Sequence, residues 1–309
     1  MNYTLHQLQI FLKISQLESI TRASEELNLT QPAVSIQLKN FQDQFAIPLT
    51  EVVGRKLYIT QFGKEIAEIA QKIIDEVNTI NYKTLAFQGK LSGKLKISVV
   101  STGKYVMPYF LSGFIKQHDG LELNMDVTNK LKVVEDLESN NTDFALVSVI
   151  PDKMEVNTIE LMDNRLFFVG NSSLKFDKTI TGKKMFEELP LIYREHGSAT
   201  RNAMEEFIKK SDFSVLKKIE LTSNEAVKQA VISGLGCSIM PLIGIKNEMK
   251  NNDLQIIPVK GLPISTTWNL IWLKSKKLSP AALAYIEYLN AEKDAIIKDK
   301  FDWFVNYLK

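Results

Sequence analysis

The chain has 309 residues, of which 45% are hydrophobic and 24% are charged, and its formal net charge is +2. These values predict a soluble globular protein of two or three domains with substantial hydrophobic cores. No apolar run approaches the roughly 20 residues of a membrane span, and residues 1–7 lack the basic start and apolar block of a secretory signal. We therefore expect a cytoplasmic protein without a membrane partner.

The sequence contains one cysteine, Cys237, which excludes an intrachain disulfide and a cysteine-rich metal site. Its neighbours in residues 234–240 are small and apolar, so a buried inert thiol is favoured over a redox sensor. The three histidines, His6, His118 and His196, are scattered along the chain. We predict no metal, cofactor or catalytic triad.

Residues 4–17 predict a first helix, and two further helical patterns meet at a tight joint inside residues 19–45. The second of these patterns places Val34, Leu38, Phe41 and Phe45 on one apolar stripe. Thr30 is placed to cap this helix, and Pro32 suits its first turn. The joint itself shows no obvious capping residue.

The opposite side of that helix carries short polar side chains, namely Gln31, Ser35, Lys39 and Gln42. A helix with one buried stripe and such groups on its other face can lie in the DNA major groove. The same spacing also fits an ordinary packing unit of two helices. The first sixty residues carry five basic and five acidic side chains, so the DNA interpretation depends on local geometry and not on bulk charge.

Residues 48–60 contain two short strand-like runs on either side of Gly54, which predicts a hairpin with a basic tip. Beside a helix-turn-helix this hairpin would be a wing, although a plain surface turn has the same pattern. Lys56 at the same tip is a further basic side chain for phosphate contact. The predicted DNA contacts are Arg22, Gln31, Pro32, Ser35, Lys39 and Arg55.

A long helical pattern begins at Thr60 or Gln61 and contains no glycine or proline from residue 64 to residue 88. About 27 residues would form a rod of roughly 40 Å. Its narrow apolar seam (Ile66, Ile69, Ile73, Val77 and Ile80) favours a dimerisation helix. A core helix of one larger domain is the alternative. Residues 89–94 interrupt the pattern and predict a linker.

From residue 95 onward, strand and helix patterns alternate, which predicts α/β structure with a mostly parallel sheet in two lobes. The predicted strands are 95–100, 121–127, 144–149, 166–169, 191–193, 219–221, 237–239, 254–259 and 268–273. The predicted helices are 105–117, 131–139, 199–210, 225–233, 280–290 and 295–307. The last of these is aromatic-rich and reads as a packed closing helix.

The order of a winged helix-turn-helix, a long helix and a two-lobed α/β region resembles the LysR-type transcriptional regulators over essentially the whole chain. The specific match is residues 23–35 (ASEELNLTQPAVS), and it continues into the wing at Gly54, Arg55 and residues 57–60. One departure is Thr50, where the family usually has phenylalanine. The resemblance implies a DNA-binding regulator with a two-lobed effector domain similar to the periplasmic binding proteins.

The expected domains are residues 1–60 for DNA binding, residues 61–93 for the linker helix and hinge, and residues 94–309 for effector binding. Lobe I would comprise residues 94–163 and 266–309, and lobe II residues 164–265. The resemblance further implies an operator in double-stranded DNA, a dimer through the linker helix, a homotetramer, and RNA polymerase as an additional partner.

Three segments are similar to one branch of the family, the CbbR-type regulators of carbon-fixation operons. They are residues 101–105 (STGKY), 194–201 (REHGSATR) and 223–231 (SNEAVKQAV). His196 and Ala199 stand where this branch usually has proline and glycine. Both differences lie beside the expected effector pocket, so the effector and the target genes of the branch are not part of the expectation.

In the family the effector binds between the lobes, and hydroxyl-bearing residues in this chain suit an anion there. Ser101 and Thr102 follow a strand and precede a helix, where free N–H groups can hold negative charge. Arg201 could add a charge-assisted bond at a second such junction. Helix capping alone would also explain the serines and threonines. The predicted effector contacts are Ser101, Thr102, Thr128, Ser148, Ser198, Thr200 and Arg201.

Two other classes of protein compete with a regulator. An enzyme is disfavoured because the sequence has no nucleophile elbow, phosphate-binding loop or His-Glu-x-x-His motif. A solute-binding transport protein has the two-lobed architecture, but the helix-turn-helix and the absence of a secretory signal count against it.

Overall fold

The computed structural model describes residues 2–54, 56–87, 91–175, 182–215 and 217–307. The chain divides into two compact units, Met1–Lys90 and Leu91–Lys309. Among the described helices, none combines the length and the apolar character that crossing a membrane requires.

The first unit contains four helices and a two-stranded hairpin within its described residues. The helices are α1 (Leu5–Leu17), α2 (Ile20–Glu26), α3 (Gln31–Gln42) and α4 (Gln61–Phe87), and the strands are β1 (Thr50–Val53) and β2 (Lys56–Ile59). The Thr30 hydroxyl accepts a hydrogen bond from the Ala33 N–H at 3.4 Å, as predicted for its capping role. The helix-turn-helix, the hairpin and the 27-residue helix α4 confirm the predicted order.

The joint between α2 and α3 is capped, contrary to its appearance in the sequence. Asn28 adopts a left-handed conformation with φ of 53°, which asparagine tolerates better than most residues. The Leu29 N–H then donates to the Ser24 carbonyl at 2.9 Å, and the Asn28 N–H donates to the Glu25 carbonyl at 3.2 Å. These bonds satisfy the last carbonyls of α2 and fix the sharp turn into α3.

The predicted stripe of α3 forms the core of the first unit. Val34, Leu38 and Phe41 are buried, and the Phe41 ring lies 5.2 Å from that of Phe11 on α1. The first half of α4 joins this core through Ala70, which agrees with the alternative reading of α4 as a core helix for that half. Ile69, next to Ala70, and Ile80, in the second half of α4, remain 52% and 65% exposed.

The second unit is an α/β structure. Its strands are β3 (Ser92–Val100), β4 (Gly120–Thr128), β5 (Phe144–Val147), β6 (Val156–Asn171), β7 (Leu191–Arg194), β8 (Lys218–Leu221), β9 (Ser238–Pro241), β10 (Leu254–Ile256) and β11 (Ile264–Leu273). Its helices are α5 (Met107–Gln117), α6 (Lys130–Glu138), α7 (Gly182–Glu188), α8 (Ala199–Lys210), α9 (Asn224–Ile232), α10 (Lys246–Lys250) and α11 (Pro280–Val305). Short 3-10 turns span Gly103–Tyr105 and Leu242–Gly244.

The main sheet is mixed, so the prediction of a mostly parallel sheet was wrong. Within the described residues its strand order is β10-β6-β11-β5-β3-β4, and β9 also pairs with β6. β3 is parallel to β4 and β5, whereas β6 pairs antiparallel with β9, β10 and β11. A separate parallel pair joins β7 and β8.

Strands β6 and β11 form a long antiparallel ladder that runs from Ile264 opposite Leu166 to Leu273 opposite Val156. Midway along it, the Asn164 side-chain amide donates to the Thr266 hydroxyl at 3.0 Å. The register shifts between Trp268 and Asn269, which is the irregularity of a β-bulge. The predicted strands 166–169 and 268–273 were therefore only parts of longer strands.

The described residues of the second unit form two hydrophobic clusters, of which the larger contains residues from both predicted lobes. The larger one includes the inner side chains of β3 and β5 together with α5 and α11, with Trp268 and Tyr285 fully buried. The second cluster lies around the stacked rings of Phe168 and Phe186, whose centroids are 4.6 Å apart. The elements between β6 and β11 supply most of this second cluster.

Two boundaries of the second unit differ from the prediction. β3 begins at Ser92, so only residues 91 and earlier remain for the predicted linker 89–94, and residues 88–90 lie outside the described residues. The C-terminal helices merge into one helix, α11, because residues 290–294 contain no glycine or proline to end the first. Phe301 and Phe304 are buried, as expected for a packed closing helix.

Candidate functional sites

The outer face of α3 presents the predicted DNA contacts to solvent. Gln31, Pro32 and Lys39 are exposed, Ser35 is half-buried, and Arg22 on α2 is exposed. Arg22 and Lys39 form no salt bridge with any described residue, so their charges are available to phosphate groups. Arg55, the predicted wing contact, lies outside the described residues.

Gln42 was predicted to belong to the same polar face, but its side chain makes hydrogen bonds within the first unit. Its side-chain oxygen accepts hydrogen bonds from the Thr50 N–H at 3.1 Å and from the Thr50 hydroxyl at 2.8 Å. This pair ties the end of α3 to the first wing strand. It also gives a physical account of threonine at position 50, because the hydroxyl adds one side-chain hydrogen bond to the one that the backbone N–H makes.

In the second unit, the centre of the candidate effector site is Arg194, the last residue of β7, which is only 4% exposed. Its Nε and Nη2 groups both donate to the Glu195 carboxylate at 2.8 Å. Nη1 donates to the Ser101 hydroxyl at 3.0 Å and to the Asn224 side-chain oxygen at 3.3 Å. Three separate elements, after β3, after β7 and at the start of α9, therefore meet at one buried cation.

Spare hydrogen-bonding groups surround this arginine. The amide nitrogen of Asn224 is buried and has no hydrogen-bond partner among the described residues. Thr102, next to Ser101, is a buried residue whose side chain caps no helix. A buried polar group without a partner costs free energy unless a ligand or water satisfies it. The arrangement is thus suited to receive hydrogen-bond acceptors next to a positive charge.

Three predicted contacts share the same edge of the main sheet. Ser101 follows β3, Thr128 ends β4 opposite Val100, and Ser148 follows β5. Since β3, β4 and β5 are mutually parallel, their carboxyl ends meet at one edge, where ligands of open α/β sheets collect. The structure therefore places these three residues at the same edge of the main sheet.

The predicted contacts at the start of α8 have different surroundings. The Ser198 hydroxyl accepts from the Arg201 N–H at 3.5 Å and caps the helix, and Thr200 is buried. The Arg201 guanidinium binds Glu205 at 2.8 Å, Glu220 at 2.7 Å and the Arg194 carbonyl at 3.0 Å. Bonds to Glu205 and Glu220 also raise the pKa of Arg201. Two carboxylates and a backbone carbonyl therefore hold Arg201 in place beside Arg194.

The turn before α8 touches the other lobe. Gly197 has φ of 86°, in the left-handed region that favours glycine. A Cβ atom there would lie 2.6 Å from Cδ1 of Leu131 on α6. The lobes thus contact each other at this glycine as well as through the Arg194–Ser101 hydrogen bond. His196 beside it is exposed, as expected for a turn residue.

Sequence reasoning missed Arg194 and Asn224 as site residues. Arg194 was overlooked because it stands beside Glu195 and resembles an exposed charge pair. Its position at the end of a short apolar run, Leu191 to Tyr193, could have indicated burial. Asn224 follows the capping Ser223, so a second role was not visible in the sequence.

Cys237 is buried, and burial raises the pKa of its thiol from the ordinary 9.0 to about 12. Between these values the unfolded state binds fewer protons than the native state, so stability falls as pH rises. The slope approaches about 1.4 kcal/mol per pH unit for one such group. We expect Cys237→Ala to reduce the decline in the free energy of unfolding between about pH 9 and 12, measured by urea denaturation over the part of this range in which the protein stays folded. Equal slopes in both proteins would contradict the assignment.

Comparison with protein-family models matches the description "Bacterial regulatory helix-turn-helix protein, lysR family" to residues 5–64. A second description, "LysR substrate binding domain", matches residues 88–294. With the winged helix-turn-helix and the two-lobed α/β unit described above, the chain belongs to the LysR family of transcriptional regulators. It is a regulator with an effector-binding domain and not an enzyme.

Within the family, the chain is similar to regulators of the CbbR and CmpR type. It is 35% identical to the transcriptional activator CmpR of Synechocystis over 96% of this chain and 97% of that protein. It is also 35% identical to CbbR of Rhodospirillum rubrum, over 93% of this chain and 96% of that protein.

A solved structure of the Synechocystis CcmR regulatory domain in complex with 2-PG is similar to the second unit. The two share 29% sequence identity with a TM-score of 0.61, and the match covers 65% of this chain and 98% of that domain.

Proposed function

We propose that this regulator binds a small anionic metabolite between the lobes of its second unit and an operator through α3 and the wing. The observation that carries the effector proposal is the buried Arg194 next to the unpartnered amide nitrogen of Asn224. A cation and a spare donor at the carboxyl edge of a sheet define a site for an anion.

Arg194 is the cation we assign to the effector, in place of Arg201. In the structure Glu195 occupies two of its N–H groups and Ser101 a third. An effector carboxylate or phosphate would take over part of this set and add bonds from the Asn224 amide and the Thr102 hydroxyl. Thr128 and Ser148 complete the wall from neighbouring strands, with Ser198 and Thr200 on the opposite lobe.

The chemistry of the CcmR complex supports an anion of the phosphoglycolate type. 2-Phosphoglycolate (2-PG) carries a phosphate and a carboxylate, both of which charge-assisted hydrogen bonds from arginine would hold. This chain shares the regulatory-domain fold of that protein. We infer a small, multiply charged metabolite of the same chemical class.

A titration calorimetry experiment on the full chain tests the effector class. 2-Phosphoglycolate and glycolate form a matched pair that differs by one phosphate group. We expect saturable binding of 2-phosphoglycolate and none of glycolate at the same concentrations. A wider set of phosphorylated sugars, nucleotides and carboxylates tests the remaining anions. Binding of a neutral metabolite in the lobes, with no anion bound, would overturn the proposal.

For DNA, we propose that α3 enters the major groove with Gln31 and Ser35 towards base edges. Pro32 starts the helix beside them, while Arg22, Lys39 and Arg55 contact phosphates. The exposed outer face of α3 supports this orientation, because its apolar side is committed to the core.

Replacing Gln31 by alanine should reduce the ratio of affinities between the operator and its single-base variants by about tenfold. The affinity for non-specific DNA should stay nearly unchanged. Gln31 is exposed and makes no side-chain hydrogen bond with the described residues, so folding should be unaffected. A gel-shift series with single-base operator changes measures the effect. Asn40→Ala, an exposed substitution on the same helix, is the matched control. An unchanged preference in the Gln31 variant would refute the base-reading role.

We further propose that α4 pairs two chains and that dimers join into a homotetramer acting in the cytoplasm, with RNA polymerase as a downstream partner. Ile69 and Ile80 are eleven residues apart, about three helical turns, so both exposed side chains lie on one face of α4. A second copy of α4 would bury them. The domain bounds 1–60, 61–93 and 94–309 stay predictions.

A further inference from the structure

A cavity of about 390 Å³ lies in the second unit, and Arg194 is not among its lining residues. One wall comes from the 3-10 turn before α5 and from the start of α5, and another from the C-terminal part of α11. The facing wall comes from α9 and from the segment that leads into α10. Its lining residues are Lys104, Tyr105, Pro108, Tyr109, Lys228, Ile243, Gly244, Lys246, Asn247, Glu248, Lys300, Phe301 and Trp303. None of the effector contacts described above is among them.

Four of the lining residues are lysines, whereas the lining contains one carboxylate, Glu248, among the described residues. Lys228 binds Glu248 at 2.6 Å and Glu225 at 3.2 Å. Burial alone lowers the pKa of Lys228, but these bonds outweigh it and raise the pKa on balance. Lys300 pairs with Asp299 at 2.7 Å. Both lysines therefore stay charged with carboxylates beside them.

The other two lysines form no salt bridge with any described carboxylate. The Lys104 Nζ atom lies 5.1 Å from the ring centroid of Tyr105, and the Lys246 Nζ atom lies 4.4 Å from that of Trp303. Burial raises the pKa of Glu225, but hydrogen bonds from Gln229 and Lys228 and the charges of Lys228 and Lys104 lower it on balance. Glu225 is not bonded to Lys104. Cation–π contacts hold these ammonium groups in place without neutralising their charge.

A buried hydroxyl without a partner completes the lining. The phenolic oxygen of Tyr105 is buried and has no hydrogen-bond partner among the described residues. Its ring packs on Gly244, where a Cβ atom would lie 2.8 Å from Tyr105 Cε2. The close approach of ring and backbone fixes Tyr105, so its hydroxyl is a pre-positioned hydrogen-bond group.

We propose that this cavity binds a compact polyanion of the phosphate class, held by Lys104 and Lys246 and hydrogen-bonded by Tyr105. Lysine binds phosphate as a point charge, whereas planar carboxylates favour the arginine fork that this cavity lacks among its described residues. The volume is within the range of small-metabolite pockets.

The walls of the cavity belong to both lobes. Lys104 and Lys300 come from elements before β6 and after β11, whereas Lys228 and Lys246 come from elements between those strands. A bound polyanion would offset the repulsion between lysines of opposite lobes and favour the arrangement that brings them together. Polyanion binding in the cavity does not depend on the proposed effector site. A coupling between polyanion binding and effector binding does rest on that proposed function.

Titration calorimetry of the full chain with pyrophosphate, at fixed low ionic strength, tests the site. The double variant Lys104→Ala/Lys246→Ala should raise the dissociation constant of pyrophosphate by about tenfold or more. The control is the double variant Lys116→Ala/Lys277→Ala, which replaces two exposed lysines outside the cavity. It removes the same amount of positive charge as the cavity variant. This control should stay within about twofold of the parent. Equal weakening in both double variants, or no saturable binding by the parent, overturns the proposal.

Two more variants separate this site from folding defects and from the effector site. Gly244→Ala removes no charge but forces the Tyr105 ring to move, so it should weaken pyrophosphate binding. The thermal unfolding midpoint of this variant is measured as well, so that a folding defect can be recognised. Arg194→Met should leave the lysine-dependent binding in place. Pyrophosphate binding that is lost in Arg194→Met, but retained in the lysine double variant, assigns the anion to the effector site and refutes the cavity. Loss only in the lysine variant, with no 2-phosphoglycolate binding, supports the cavity and refutes the effector proposal.

Discussion

Replacing Arg194 by methionine should weaken 2-phosphoglycolate binding by about 100-fold, because the variant keeps an unbranched apolar side chain but removes the charge and all the guanidinium donors. Hydrogen bonds to charged groups contribute about 1.5–3 kcal/mol each. The fold should also lose on the order of 2 kcal/mol, since Ser101 and Asn224 lose their shared partner. The Glu195 carboxylate keeps partial access to water, which limits this cost.

Arg201→Met is the matched control for that variant, because it removes the same charge from a neighbouring arginine. Arg201 is bound to Glu205 and Glu220, so we expect its loss to change 2-phosphoglycolate affinity by no more than about threefold. Calorimetric titration of both variants decides between the two arginines. Strong loss in Arg201→Met with little change in Arg194→Met would restore Arg201 as the effector contact.

Replacing Gly63 by alanine should abolish operator binding by disrupting the wing. A Cβ atom at this position would lie 2.0 Å from the Leu49 carbonyl oxygen and 2.9 Å from Ile59 Cγ2. The carbonyl is backbone, so α4 and the strand that leads into the wing must separate. Overpacking of this kind costs on the order of 3 kcal/mol. The Thr60 hydroxyl, which accepts from the Gly63 N–H and donates to the Pro48 carbonyl, would lose its geometry as well.

Gel shifts and thermal unfolding of the full chain measure the Gly63 effect. Lys64→Ala, on the exposed side of the same helical turn, is the control and should unfold within about 0.5 kcal/mol of the parent. Normal operator affinity in Gly63→Ala would show that the wing does not depend on this contact.

Local patterns predicted the first unit well because its helices carry their own boundary residues. Thr30, Pro32 and the stripe of Val34, Leu38 and Phe41 lie within a dozen residues of one another, so their geometry follows from helix periodicity. Asn28 shows the limit of this approach, since its left-handed conformation depends on how α3 returns against α2.

The second unit was predicted less completely because its sheet depends on long-range pairing. Strand direction in β6 and β11 is set by partners about a hundred residues apart, and no local pattern encodes it. The first half of β6 mixes exposed polar and buried apolar residues without strict alternation, so its sequence did not indicate a strand. The role of Arg194 was hard to predict for the same reason, because its partners Ser101 and Asn224 are 93 and 30 residues away in the sequence.

The ladder of β6 and β11 constrains how an effector signal can leave the cleft. Two continuous strands join the lobes, so any change in the angle between the lobes must bend or twist this ladder. The register shift between Trp268 and Asn269 interrupts the regular pairing of the strands. We expect effector binding to change the angle between the lobes by deforming the ladder at this irregularity.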